Sequence, residues 1–215
     1  MYKAKPFLIT FEGIEGCGKS YQSRKLYLNL KKKRIPAILT REPGGTPSAE
    51  KIREVILNDY FNLKTKEKFD KYTDTLLYLA SRNEHIVNKI KPALIKKKII
   101  ICDRFIDSTT AYQVFGKKIN KKFVDSIHKY ILKGIRPDLT VILKVNISKA
   151  MQRINKRKRK NRYDKFPKKF YVKVQNSFIN IAKKNKDRCL ILDNSEDSNF
   201  IELEILKKVL FRIRK

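Results

Sequence analysis

Five short apolar runs rich in β-branched residues, Phe7 to Phe11, Ile35 to Thr40, Ile99 to Cys102, Leu139 to Val145 and Cys189 to Leu192, are separated by helix-length stretches of mixed polarity. This alternation predicts a parallel sheet, because a parallel strand is regained only by a crossover, usually a helix. The crossovers should be right-handed and their helices should cover both faces, with chemistry collecting at the carboxyl ends of the strands. At 215 residues and 41% hydrophobic content the chain can bury one sizeable core. No proline- or glycine-rich linker divides it, so residues 1–215 are expected to form a single domain. Helical periodicity marks Tyr21 to Leu30, Asp74 to Ile95 with Pro92 as a candidate kink, and Phe200 to Ile213.

The first apolar run leads into Gly13-Ile14-Glu15-Gly16-Cys17-Gly18-Lys19-Ser20. A strand, G-x-x-x-x-G-K-S and then a helix is the arrangement in which glycines let backbone amides turn inward around phosphate oxygens. Lys19 would reach the β and γ phosphates, and Ser20 would offer its hydroxyl to Mg²⁺. At the end of the third run Asp103 stands where a carboxylate can hold the metal's water shell, unless it is merely a helix cap. The fold class expected is therefore α/β, a P-loop NTPase three-layer sandwich with a five-stranded parallel sheet. The chemistry is phosphoryl transfer or nucleotide hydrolysis, with the acceptor still open.

A formal net charge of +31 raises nucleic acid as a partner, since clustered cations release counterions from phosphate backbones. The lysines, however, are spread through almost every segment, which fits a compositional bias, and no specific nucleic-acid partner is expected. Three cysteines without paired spacing and two histidines suggest neither a disulfide framework nor a zinc site. The opening residues lack a signal-peptide core, and no stretch reaches the roughly 18 apolar residues that cross a bilayer. No membrane partner and a cytoplasmic location are expected.

Further along lie "TREPGGT" (Thr40 to Thr46), "LLYLASR" (Leu76 to Arg82), "DRFIDSTTAYQ" (Asp103 to Gln113) and "RPDLTVIL" (Arg136 to Leu143). With the phosphate loop, in this order and spacing, the chain resembles bacterial thymidylate kinases from about Phe7 to Leu192. The resemblance implies ATP as phosphoryl donor, dTMP as acceptor, Mg²⁺ and a homodimer. It implies that Tyr78, at a position usually held by phenylalanine, stacks on thymine, and that Arg82, Ser108 and Gln113 read the base. Arg104 and Arg53 would grip the acceptor phosphate, Glu15 the 3′ hydroxyl, and Tyr112 would exclude a 2′ hydroxyl.

Some relatives carry an arginine after the loop acid, where this chain has Gly16; the duty then falls to a basic lid, here about 153–164. Arg162, in "NRYD", aligns with a family arginine and is the candidate for catalysis, with Arg153, Arg157 and Arg159 also open. The exposed-looking run Lys156 to Arg162 has no apolar anchor and should be mobile unless a ligand orders it. Tyr21, in place of a small hydroxyl residue, and Lys144, in place of an aspartate, depart from the family pattern, and either could alter adenine-side or metal-side contacts. Two alternatives stand: another nucleotide kinase on the same scaffold, against which "TREPGGT" and Tyr112 argue, and a nucleic-acid-stimulated ATPase, which lacks room for a binding domain.

Overall fold

The five runs form strands β1 (Phe7–Glu12), β2 (Ala37–Arg41), β3 (Ile99–Asp103), β4 (Leu139–Lys144) and β5 (Cys189–Asp193) of one parallel sheet, ordered β2-β3-β1-β4-β5. The structure, a computed structural model, describes residues 5–57, 68–158, 161–196 and 199–214. β1 is buried along its whole length, which explains its unbroken apolar character: a parallel strand covered on both faces has no polar side to alternate with. Phe7, Ile9 and Phe11 point into one core and Leu8 into the other, the period of two expected of a pleat.

On the first face pack α1 (Lys19–Lys32), α7 (Ile147–Asn155), α8 (Lys168–Lys184) and α9 (Asn199–Arg214). α8 buries Tyr171, Val174, Phe178 and Ile181, one helical stripe. Each such side chain contributes about 1.5–3 kcal/mol by leaving water. The second face is covered by a π turn at Ile86–Ile90, which continues α3 (Lys71–His85), and by α4 (Lys91–Ile95). The remaining helices are α2 (Pro47–Leu57), α5 (Ile106–Thr109) and α6 (Lys121–Leu132).

Two details differ from expectation. The long helix begins at Lys71 rather than Asp74, because the Asp70 carboxylate caps it through the Tyr72 amide at 2.7 Å. Pro92 does not break it either. Lys91 N–H donates to the Ile86 carbonyl across the π turn, so the winding is already relaxed where the proline, lacking an N–H, enters near the start of α4.

A second π turn, Thr110–Gly116, follows α5 and closes with Lys117 N–H donating to the Tyr112 carbonyl at 2.9 Å. Its extra residue turns Ala111, Tyr112 and Gln113 inward together. β1 sits between β3 and β4; from β1 the chain crosses to β2 on one side of the sheet, and from β3 it crosses back past β1 to β4 on the other. The phosphate loop therefore opens at the switch point where α/β sheets bind ligands.

Candidate active site

The glycine loop takes its shape from close backbone packing. Gly16 has φ 74°, and a Cβ there would stand 2.5 Å from the Ala150 carbonyl oxygen of α7. No other residue fits without moving that helix. The loop ends at the N-terminus of the 14-residue α1, where unpaired amides and the helix dipole favour phosphate. Lys19, buried at the base, donates from Nζ to the Ile14 carbonyl at 2.6 Å.

From behind, Asn194 Nδ2 donates to the Cys17 carbonyl at 2.8 Å, and Arg153 Nη1 to the Gly16 carbonyl at 3.2 Å. Arg153 is thus a brace of the loop.

Ser20 Oγ donates to Asp103 Oδ2 at 2.5 Å, joining the first helix to the end of β3. Asp103 is not a helix cap, since Phe105 holds that position before α5. A hydroxyl and a carboxylate at one point are hard oxygen donors of the kind Mg²⁺ takes beside water and phosphate oxygens, so these residues fit that ion. Among the described residues no cluster of three His, Cys, Asp or Glu offers an all-protein metal cage.

Arg104, with φ 72°, joins the loop to the helices beyond β3. Its Nη1 donates to the Gly13 carbonyl at 2.9 Å and to Ser108 Oγ at 3.1 Å; its Nη2 donates to Glu15 Oε1 at 2.9 Å. Tyr112 donates its hydroxyl to the other Glu15 oxygen at 2.5 Å, and the Arg104 guanidinium lies 5.0 Å from the Tyr112 ring centroid. Below them Glu12 accepts from the Phe105 amide at 2.7 Å and from Ser108 Oγ at 2.5 Å. Burial, and then the charge of Asp107, push the Glu12 carboxyl up to about 8.

At the far end, Arg82 is buried and heavily committed. Nε donates to Glu42 Oε2 at 2.8 Å, Nη1 to Thr109 Oγ1 at 2.8 Å and to His128 Nε2 at 2.7 Å, and Nη2 to the Phe105 carbonyl at 3.0 Å. Four of a guanidinium's five donors are taken, leaving one Nη2 hydrogen for a ligand. Glu42 also bonds His85 Nδ1 at 3.0 Å, whose Nε2 meets Thr40 Oγ1 at 2.7 Å. A Cβ on Gly45 would lie 2.7 Å from that imidazole, so glycine is required where the "TREPGGT" turn crosses His85. Arg53 Nη1 donates to the Pro43 carbonyl of the same turn at 2.6 Å.

His128 must be neutral to accept from Arg82. Burial, then the charges of Arg82 and Lys121, hold it down to about 3 from an ordinary 6.5. The unfolded chain takes up this proton below about 6.5 while the folded one does not, so this part of the stability is present above 6.5 and lost as pH falls toward 3. His128→Gln, which keeps an acceptor without titrating, should flatten part of the acid-side fall of Tm across that window. An unchanged pH profile of Tm would contradict the assignment.

Glu15, Lys19, Ser20, Asp103, Arg104, Ser108, Tyr112 and Gln113 line one cleft of about 270 Å³ together with Arg53, Tyr78 and Arg82. Arg157 reaches it as well, and Arg162 does not. Arg162 is turned away into an ion pair with Asp74 on α3, so the expectation that the whole basic run is exposed fails at its last residue. Arg157 is held by Asp164 at 2.6 Å with its side chain 39% exposed. Arg159 lies outside the described residues. Tyr21 is 58% exposed with Lys25 Nζ 5.5 Å from its ring, and Lys144 pairs with Asp193 at 3.3 Å.

A sequence profile of the thymidylate kinase family matches residues 11–205. The chain belongs to the thymidylate kinase family. It is 41% identical over 207 residues to the thymidylate kinase of Ehrlichia chaffeensis, covering 93% of this chain and 96% of that one. It is 38% identical over 209 residues to that of Mycoplasma capricolum, covering 96% of each. The crystal structure of the Ehrlichia chaffeensis thymidylate kinase superposes with a TM-score of 0.74 at 36% identity, over 96% of this chain and 99% of that one. The α/β sandwich expected from the strand pattern is thus a thymidylate kinase fold.

Sequence reasoning missed Glu12, Glu42, His85 and His128. Glu42 lay inside "TREPGGT" and could have been singled out there. Both histidines of the chain turn out to serve the polar network around Arg82, which no local spacing announces.

Proposed function

We propose that this cleft is where the γ-phosphoryl group of ATP passes to dTMP, giving dTDP and ADP, and that the residues named above divide the work. The chain is a thymidylate kinase by family, so the reaction is fixed, and the proposal concerns which atoms perform it. The observation that carries it is the position of Arg104. It follows Asp103, which bonds Ser20, and its guanidinium contacts the Gly13 carbonyl, Glu15 and Ser108 at once. One side chain therefore links the donor loop to the acceptor pocket.

On the donor side the loop amides from Gly13 to Ser20 would hold the ATP phosphates, with Lys19 leaving the Ile14 carbonyl for the β and γ oxygens. Ser20 and Asp103 would hold Mg²⁺, which when bound neutralises charge on those oxygens. On the acceptor side Arg104, aided by Arg53, would bind the dTMP phosphate, and Glu15 would accept from the 3′ hydroxyl. Tyr78 would stack on thymine, while Gln113, Ser108 and the remaining Arg82 hydrogen would read its edge. Because the cleft is lined by Arg157 and not by Arg162, we assign the lid's charge-stabilising role to Arg157.

We further read the protein as a cytoplasmic homodimer, as its family resemblance implies, with neither nucleic acid nor membrane as a partner. Exposed apolar side chains on α3, Tyr72 and Leu76, offer material for a subunit contact. Exposed lysines are distributed over α1 (Lys31), α6 (Lys121), α8 (Lys168) and α9 (Lys207), without one element gathering them. Among the described residues no helix is long and apolar enough to cross a membrane.

The acceptor assignment is tested at Tyr112. If its ring is the barrier to a 2′ hydroxyl, Tyr112→Phe keeps the preference for dTMP over TMP, since the ring remains. The KM for dTMP should rise about threefold to tenfold, because Glu15 loses a hydrogen-bond donor. Loss of the deoxy preference in this variant would refute the steric role.

A further inference from the structure

Asp74 is almost completely buried on α3, yet it faces two cations from different parts of the chain. Lys117 Nζ, just past the π turn that carries Tyr112, lies 2.6 Å from Oδ2, and Arg162 Nη2 from the lid pairs with Oδ1. Arg162 opens a short 3₁₀ turn, Arg162–Lys165. Its Nε is buried without an acceptor among the described residues, so Asp74 is the carboxylate that ties this turn down.

The same turn holds Arg157. Asp164 Oδ2 accepts from the Asn161 amide at 2.9 Å, closing a capping box, while Oδ1 accepts from Arg157 Nη1 at 2.6 Å. Between them Tyr163 stands edge-on to Tyr78 and to Tyr112, with centroids 6.2 and 5.7 Å away. A continuous set of contacts thus runs from α3 through Arg162 and Asp164 to the lid guanidinium at the cleft.

We infer that Asp74 is a positioning residue for phosphoryl transfer: by fixing Arg162 it sets the 3₁₀ turn, and through Asp164 it aims Arg157 at the transferring group. This rests on the assignment of Arg157 above. A merely structural Asp74 would stabilise the fold without acting on the chemical step.

The test is a kinetic cycle on the full chain with dTMP and Mg-ATP, using Asp74→Asn, Arg157→Ala and the pair combined. Arg157→Ala should lower kcat by about 10³-fold, and Asp74→Asn by at least ~10-fold with KM for ATP nearly unchanged. The combined variant should be no slower than Arg157→Ala alone, since the positioned group is already gone. Arg162→Gln breaks the same pair from the lid side, should Asp74→Asn fold poorly, and Arg162→Lys should recover part of its lost kcat.

Multiplicative losses in the combined variant, or Asp74→Asn and Arg162→Gln at parental kcat while Arg157→Ala is slow, would overturn the inference and leave the Arg157 assignment standing. Parental kcat in Arg157→Ala would overturn both.

Discussion

Lys19→Ala is expected to lower kcat for dTMP-dependent ADP formation by about 10²-fold or more, because it removes a preorganised charge from the transferring phosphate. The fold should survive. Among the described residues Lys19 Nζ hydrogen-bonds only within its own loop, to the Ile14 carbonyl and, at 3.5 Å, the Cys17 sulfur. No distant element among the described residues is tied to Nζ, so Tm should change little. Turnover close to the parent's would remove Lys19 from the mechanism.

Arg104→Lys should be almost as damaging, in a different parameter. A lysine keeps the charge but not the fork that reaches Gly13, Ser108 and Glu15 together. We expect kcat/KM for dTMP to fall by about 10²-fold, while KM for ATP moves little, since Lys19 and the loop amides are untouched. The variant should also lose stability. Glu15 would keep a charge nearby but lose a directed partner, and lysine pays for φ 72° as arginine does, without the compensating bonds. Equal loss toward both substrates would mean that Arg104 organises the loop and does not bind the acceptor.

The strands were legible because their signal is local. β1, β3 and β4 are covered on both faces, so burial writes an unbroken apolar run into the sequence, and the observed ends lie within a residue or two of the runs. Lys19, Ser20 and Asp103 were legible for a related reason: a phosphate-binding turn dictates residue type at fixed spacing. The two π turns were not, because an i→i+5 hydrogen bond leaves no residue signature, and the one at Thr110–Gly116 decides how Tyr112 and Gln113 enter the cleft.

The lid was the least legible part. From Lys156 to Arg162 the chain supplies mostly cations and no apolar residue to fix a helical or extended register. Their directions are set by carboxylates elsewhere: Asp74, 88 residues from Arg162, and Asp164, itself oriented by the Asn161 cap. Alignment with a family arginine favoured Arg162, whereas these pairings bring Arg157 to the cleft. Glu12 and His128 were missed likewise, since each acts across 46 residues or more of sequence.

The most direct test of the account is ADP formation from Mg-ATP by the purified protein with dTMP, dUMP, TMP, UMP, CMP, dCMP or no acceptor, beside a parallel sample with single-stranded DNA. The site described here predicts strong stimulation by dTMP, little by TMP or the cytosine nucleotides, and none by DNA. Stimulation by a cytosine nucleotide above dTMP would contradict the roles given to Tyr78, Arg82 and Gln113, and stimulation by DNA alone would contradict the acceptor pocket altogether.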